Sequence, residues 1–278
     1  MTVERRDEPG RHTRVDRRTV LRGTALAAGG VLLGGITGFP VADRASAATR
    51  PKVYTRADWG ARAPKNKIEV VRRGATHIVV HHTATANASD TSTSHAASLS
   101  RSIQRYHMDT NGWSDMGQQF TISRGGHIME GRDQSLQAVS AGHHVLGAHT
   151  ANHNEHAIGI ENEGTYTSAT PPALLLESLA DTCAWLCLAY RLDPDEAIVG
   201  HRDFNATGCP GDKLYAALPQ LRSTVRSRMR EQLAHPGAAA VVAAPEPDQL
   251  PTYPDVPRDE EVRPYSHGPA VGERDTFT

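Results

Sequence analysis

The sequence predicts an α/β protein, a single domain in which a central mixed β-sheet is flanked by helices. Two observations predict this fold class. Short apolar runs rich in β-branched residues recur along residues 48–235 and are typical of buried strands. Between these runs lie segments whose apolar residues follow helical spacing, and no segment is repeated. This alternation favours one sheet covered by helices.

The first half of the domain predicts a strand, a helix and a hairpin. The run THIVVHHTA at 76–84 indicates a buried strand. A helix follows, with Ser and Thr as candidate caps and the Asn-Gly pair at 111–112 as its stop signal. Its apolar face contains Ala96, Leu99, Ile103 and Tyr106. The segment QQFTISRGGHIMEG at 118–131 indicates a hairpin that turns at the Gly pair 125–126.

The second half predicts two further strands and two helices. HAIGIENEG at 156–164 indicates a strand, and EAIVGH at 196–201 indicates a shorter one. A helix that begins at prolines separates them, and its apolar face contains Leu175, Leu179, Cys183, Leu186 and Tyr190. The last predicted helix carries Leu214, Leu218, Leu221, Val225 and Met229 on one face.

The N-terminal segment has the layout of an export signal. It combines Arg17 and Arg18, an apolar stretch at 24–39 and a small-residue ASA site just before Ala48. We therefore expect residues 1–47 to be a twin-arginine signal, followed by secretion and no membrane attachment after cleavage. An uncleaved anchor is the alternative, although the apolar stretch is short and glycine-rich for a spanning helix.

The C-terminal segment is predicted to be disordered, and the charge distribution argues against one class of partner. Residues 236–278 are rich in proline and acid and lack an apolar period, so we expect a disordered tail. This tail carries three basic and eight acidic residues, and residues 1–47 carry eight basic and five acidic ones. The domain between them therefore has a net charge near +1 and no basic stripe, which argues against nucleic acid as a partner. We expect it to be a monomer.

The three cysteines fall into two groups. Cys183 and Cys187 are four residues apart on a predicted helix, a spacing that places them on one face and would strain a disulfide between them. We expect them to be buried core thiols. Cys209 lies in a Gly-Pro loop, and a disulfide between it and one of the helical cysteines remains an alternative in an exported protein.

The loop GHRDFNATGCPG at 200–211 carries two candidate zinc ligands. Imidazole and thiolate are donors that zinc prefers, which singles out His201 and Cys209. A catalytic zinc needs a third protein ligand. The candidates are His81 and His82, which are costly to bury in a strand unless they bond to something. They point to opposite faces, so only one can reach a given metal.

A second candidate metal site is the histidine-rich segment GHHVLGAHTANHNEH. Its histidines are His143, His144, His149, His153 and His156. The alternative interpretation is a solvated loop.

Five segments together resemble the peptidoglycan recognition protein and bacteriophage-type N-acetylmuramoyl-L-alanine amidase family. They match that family in order and spacing over about residues 54–230. They are TRADWGAR (55–62), HIVVHHTA (77–84), IQRYHMDTNGWSDMG (103–117), GAHTANHNEHAIGIENEG (147–164) and GHRDFNATGCPG (200–211).

The resemblance implies a zinc at the bottom of an open groove that holds the peptide of a muropeptide substrate. Carried over by position, the ligands are His81, His201 and Cys209, and His82 takes the place of a neighbour that does not bind the metal. The implied activity is hydrolysis of the bond between N-acetylmuramic acid and L-alanine in peptidoglycan.

One position departs from the family pattern. Family members commonly carry a tyrosine that reaches the zinc-bound water, and Gln118 occupies that position here. Glu161 falls where a related branch carries a glutamate in that role, which predicts an exchange of general base, with Glu163 as the fallback candidate. Thr207 occupies the position of a residue near the oxyanion. A peptidoglycan-binding protein without hydrolytic activity is the alternative that Gln118 favours.

Overall fold

The computed structural model describes residues 50–234, and the predicted export signal and the predicted tail lie outside this range. The strands are β1 Val53–Tyr54, β2 Val70–Val71, β3 His77–His82, β4 Phe120–Ile122, β5 Ile128–Glu130, β6 His144–Val145, β7 Ala157–Asn162 and β8 Ile198–Gly200. The helices are α1 Arg56–Trp59, α2 Thr93–Arg105, α3 Ser135–Ser140, α4 Ala173–Tyr190, α5 Pro194–Ala197 and α6 Asp212–Ala234. A π-helical turn, Tyr106–Thr110, extends α2, and a 3₁₀ turn, His201–Asp203, follows β8.

The main sheet has six strands in the order β1-β5-β4-β7-β3-β8. β4 and β5 form an antiparallel hairpin, while the other neighbours pair in parallel, so the sheet is mixed. β2 and β6 form a separate antiparallel pair. The predicted fold class is confirmed, and so are the four strand regions expected from the apolar runs.

One face of the sheet builds the main hydrophobic core. The residues of this face are Ile78, Val80, Phe120, Ile122, Ile158, Ile160 and Ile198. Helices α4 and α6 cover them with residues that include Leu179, Leu186, Leu218 and Val225. Helix α4 has the length and mean hydropathy (1.4) of a membrane-spanning segment, yet half of it is buried in this core. Its apolar character follows from packing against both the sheet and α6.

The helical cysteines are core thiols, as predicted. Cys183 and Cys187 are free and buried in α4, and burial raises the pKa of Cys187 to about 12. Cys209 is also buried, and its sulfur is not part of a disulfide. Thus none of the three forms a disulfide in the described part of the chain.

The opposite face of the sheet changes from apolar to polar along one row of register partners. Met129 on β5 pairs with Thr121 on β4, Thr121 pairs with Glu161 on β7, and Glu161 pairs with His81 on β3. At the β5 end, Met129 packs in a second core with Trp59 and with residues of α2. The other end of the row therefore presents Glu161 and His81 side by side on one face.

Candidate metal centre

The strand register places Glu161 beside His81. Both residues lie on central strands, and neighbouring strands in a sheet are about 4.8 Å apart. Both side chains are fully buried. His82 points to the other face, where its Nδ1 accepts a hydrogen bond from the Tyr166 backbone amide at 3.3 Å. Because side chains alternate between the two faces along β3, His81 points to the face opposite that of His82.

His201 reaches the same place because β8 ends next to β3. The last register pair joins Gly200 to Val80, so the next residue of each strand is His201 and His81. The 3₁₀ turn after Gly200 brings the two imidazole rings to a centroid distance of 4.5 Å. His201 Nε2 lies 3.1 Å from Asn205 Oδ1. An amide oxygen accepts, so Nε2 carries the proton and Nδ1 holds the lone pair.

Arg202 folds the loop so that Cys209 returns to the two histidines. Its backbone N–H donates to Cys209 O at 3.1 Å, and its guanidinium donates to Gly208 O and to Asp212 Oδ1. The Cys209 sulfur then lies 3.6 Å from His81 Nδ1. Arg202 was not among the residues predicted from the sequence, and its position directly after His201 in a short loop is the signal that could have identified it.

The three predicted ligands therefore lie together. The ligand atoms of His81, His201 and Cys209 are all within 4.8 Å of one another, and all three side chains are buried. Within residues 50–234 this is the only group of three or more His, Cys, Asp or Glu side chains so arranged. A tetrahedral zinc with typical bond lengths sets a sulfur and a nitrogen ligand about 3.6 Å apart. The donor set and its spacing fit zinc.

The histidine-rich segment does not converge on a second three-residue site among the described residues. His144 is buried between the carbonyl oxygens of Arg73 and Glu155. The Nδ1 atom of His153 lies 3.0 Å from Nε2 of His156. His149 is buried beside His81 instead, with its Nδ1 3.2 Å from His81 Nε2. Burial lowers the pKa of His149 to about 3, so its ring is neutral.

The two candidate general bases have different surroundings. The carboxylate of Glu163 lies 2.6 Å from His95 Nε2 and accepts the backbone N–H of Arg124 at 2.7 Å, contacts that tie β7 to α2 and the hairpin. Glu161 instead lies in the row that contains His81. The strand register thus pairs Glu161 with His81, whereas Glu163 lies beyond the end of that register and its carboxylate contacts His95 and Arg124.

Gln118 contacts the register partner of Glu161, and Thr207 contacts Cys209. The Gln118 amide donates to Thr121 Oγ1 at 2.9 Å, and Thr121 is the register partner of Glu161 on the side away from His81. The Thr207 hydroxyl accepts the backbone N–H of Cys209 at 3.2 Å. Thr207 therefore supports the turn that presents the thiol.

Comparisons with known proteins place the chain in a family. The family model described as N-acetylmuramoyl-L-alanine amidase matches residues 72–212, just over half of the chain. A human N-acetylmuramoyl-L-alanine amidase is 35% identical over 182 residues, which cover 64% of this chain and 30% of that protein. The chain thus matches less than a third of the human protein's length.

Two comparisons with fruit-fly proteins cover most of the length of the related protein. Peptidoglycan-recognition protein LB of Drosophila melanogaster is 31% identical over 167 residues, which cover 60% of this chain and 67% of that protein. The structure of a point mutant of Drosophila PGRP-LB in complex with tracheal cytotoxin aligns with a TM-score of 0.53 at 30% identity. That alignment covers 62% of this chain and 95% of the solved one.

Proposed function

Because this chain belongs to the N-acetylmuramoyl-L-alanine amidase family, we propose that it is a zinc-dependent hydrolase of bacterial peptidoglycan. The bond cleaved is the amide between the lactyl group of N-acetylmuramic acid and L-alanine. The observation that carries this proposal is the buried cluster of His81, His201 and Cys209, whose donor set fits zinc. The related Drosophila PGRP-LB mutant is in complex with tracheal cytotoxin, a monomeric diaminopimelic acid-type peptidoglycan, and this supports the substrate class.

His81, His201 and Cys209 would hold the zinc through two imidazole nitrogens and one thiolate. Zinc supplies a Lewis acid that activates water and polarises the amide carbonyl. His81 is the ligand fixed by the sheet, and His201 and Cys209 are the ligands supplied by one loop. This division orients the donors before substrate arrives.

Glu161 is the proposed general base. It accepts a proton from the water whose oxygen bonds to the lactyl carbonyl carbon. The bond between that carbon and the alanine nitrogen then breaks, and Glu161 delivers the proton to the leaving amine. Its support is the register that sets Glu161 next to His81 on the same face. The products are a carboxylic acid and an amine, which become a carboxylate and an ammonium at neutral pH when the remaining hydroxyl proton passes from the acid to the amine.

Thr207 is proposed to assist at the oxyanion. Its oxygen already accepts the Cys209 N–H, so its own O–H can donate to the negative charge that develops on the carbonyl oxygen.

A peptidoglycan-binding protein without hydrolytic activity is the second candidate. Gln118 favours it, because an amide cannot take up and release a proton near neutral pH as a general base must. The two candidates share the groove and differ only in turnover.

The experiment that separates them is digestion of purified cell wall by the zinc-loaded protein. We expect soluble stem peptides with a free L-alanine amine, detected by mass analysis. A chelator should stop their release, and added zinc should restore it. If the zinc-loaded protein binds cell wall but releases no stem peptides, the hydrolase proposal is wrong and the binding function is supported.

We also propose that the protein is exported by the twin-arginine route. The support is the sequence around Arg17 and Arg18 and the small-residue site before Ala48. Changing both arginines to lysine should retain the full-length chain inside the cell, measured by immunoblotting of cell and medium fractions. Normal secretion of this double variant would contradict the assignment.

A further inference from the structure

His149 occupies a space that only glycines leave open. A Cβ on Gly159, in the middle of β7, would lie 2.5 Å from His149 Cγ. A Cβ on Gly147 would lie 2.5 Å from His149 Cδ2. Either contact is too short for a real side chain, so the ring sits in a cradle that larger residues would fill. Because Gly159 is two residues before Glu161, the cradle is on the same face of the sheet as the proposed metal ligands.

The protein also fixes the backbone of His149. Asn154 Oδ1 accepts the backbone N–H groups of His149 and Thr150 at 2.9 and 3.1 Å. The two glycines therefore leave the space that the ring occupies, and Asn154 holds the backbone that carries the ring. A ring held in one position presents its two nitrogens to neighbouring groups in one orientation.

The carbonyl of Ala157 determines which nitrogen of His149 carries the proton. His149 Nε2 lies 3.3 Å from this oxygen, which can only accept a hydrogen bond. A neutral imidazole has one N–H, so the proton is on Nε2 and the lone pair is on Nδ1. That lone pair faces His81 Nε2 at 3.2 Å.

The same reasoning determines which nitrogen of His81 carries the proton. An acceptor at 3.2 Å from His81 Nε2 requires the proton of His81 to be on Nε2. Its lone pair is therefore on Nδ1, the nitrogen that lies 3.6 Å from the Cys209 sulfur. The Thr150 hydroxyl is consistent with this assignment, since it can donate to His149 Nδ1 at 2.9 Å and accept from His81 Nε2 at 3.4 Å.

We propose that His149 is a positioning residue that fixes the tautomer and ring orientation of His81 and thereby strengthens metal binding. This inference rests on the proposed function for the identity of the metal. In general, groups that hold the second nitrogen of a ligating histidine change metal affinity about 10–100-fold when they are lost. Asn205 holds His201 in the corresponding way, so both imidazole ligands present Nδ1.

The test compares zinc affinity and ring tautomers in matched variants. His149→Phe keeps a planar ring in the cradle but removes the acceptor, and we expect zinc to bind about 10–100-fold more weakly in chelator competition. His149→Gln keeps an acceptor and a donor and should recover part of this loss. His143→Gln, in the same segment but outside the cluster, is the control and should bind zinc as tightly as the wild type.

Nitrogen-15 NMR of histidine-labelled protein gives a readout that does not depend on activity. We expect the Nε2–H tautomer at both His81 and His149 in the wild type, and a mixture of tautomers at His81 in metal-free His149→Phe. If His149→Phe does not fold, His149→Gln and the wild-type tautomers still test the proposal. An Nδ1–H tautomer at His81, or unchanged zinc affinity in the folded His149 variants, would overturn it. Failure of the wild type to bind zinc at all would instead refute the proposed function.

Discussion

Replacing Glu161 with glutamine is expected to slow peptidoglycan hydrolysis by about 10²–10⁴-fold, the usual effect of losing a general base. Zinc content and affinity for cell wall should stay near wild type, because the change is isosteric and Glu161 is not one of the three ligands. The measurement is the rate of stem-peptide release under substrate saturation, with zinc determined on the same samples. The loss should appear in kcat.

Three variants make this prediction specific. Glu163→Gln should slow hydrolysis much less, since its carboxylate joins His95 to Arg124, and its effect should appear in thermal stability. Gln118→Ala should also cost little, because an amide does not act as a base. Gln118→Tyr in the Glu161→Gln background should restore part of the rate. Wild-type turnover in Glu161→Gln would show that the exchange of base did not take place.

Replacing Cys209 with alanine is expected to abolish stoichiometric zinc binding and to reduce activity to that of the chelated wild type. Two imidazoles alone do not hold a catalytic zinc against competing chelators. The thermal midpoint should also fall, because the free energy of metal binding contributes to the stability of the folded state. Metal analysis after gel filtration and a thermal melt measure the two effects.

Cys187→Ala is the matched control for the loss of a thiol. This residue is buried in α4, away from the ligand cluster, so its replacement should lower stability through lost packing and leave zinc content unchanged. If Cys209→Ala retains one zinc per chain and full activity, the ligand set has been misassigned.

The parts of the fold that were predictable are those with a strong local pattern. The apolar run at 76–84 and the spaced leucines of α4 bury whole faces, so their periodicity survives in the sequence. β1, β2 and β6 have two residues each, too few for any period, and they exist only because partners pair with them. The α1 helix is similar, since it depends on a capping box at Thr55 and on burial of Trp59.

The proximity of His81, His201 and Cys209 was predictable, but the contacts of the residues around them were not. His201 and Cys209 carry ligand chemistry in one loop, and the family resemblance selected His81 over its neighbour. The role of His149 depends on distances to His81 and Ala157 that no spacing reveals. One local signal was present, because Gly159 lies between Ile158 and Ile160 in the interior of a strand, and a glycine there marks a close approach. The histidine that fills this gap could be identified only in three dimensions.

His81, His201 and Cys209 lie in regions that differ in the free energy needed for local opening. His81 lies on β3, which pairs on both sides within the core of the sheet, whereas His201 and Cys209 lie on the connection between β8 and α6. Native proteins open in parts, and connections open at lower free energy than central strands. A local opening of residues 201–211 therefore releases two donors at once while the third keeps its place. If the proposed zinc is bound there, we expect its residence time to follow the lifetime of the closed connection, and we expect the metal-free protein to take up zinc again without refolding.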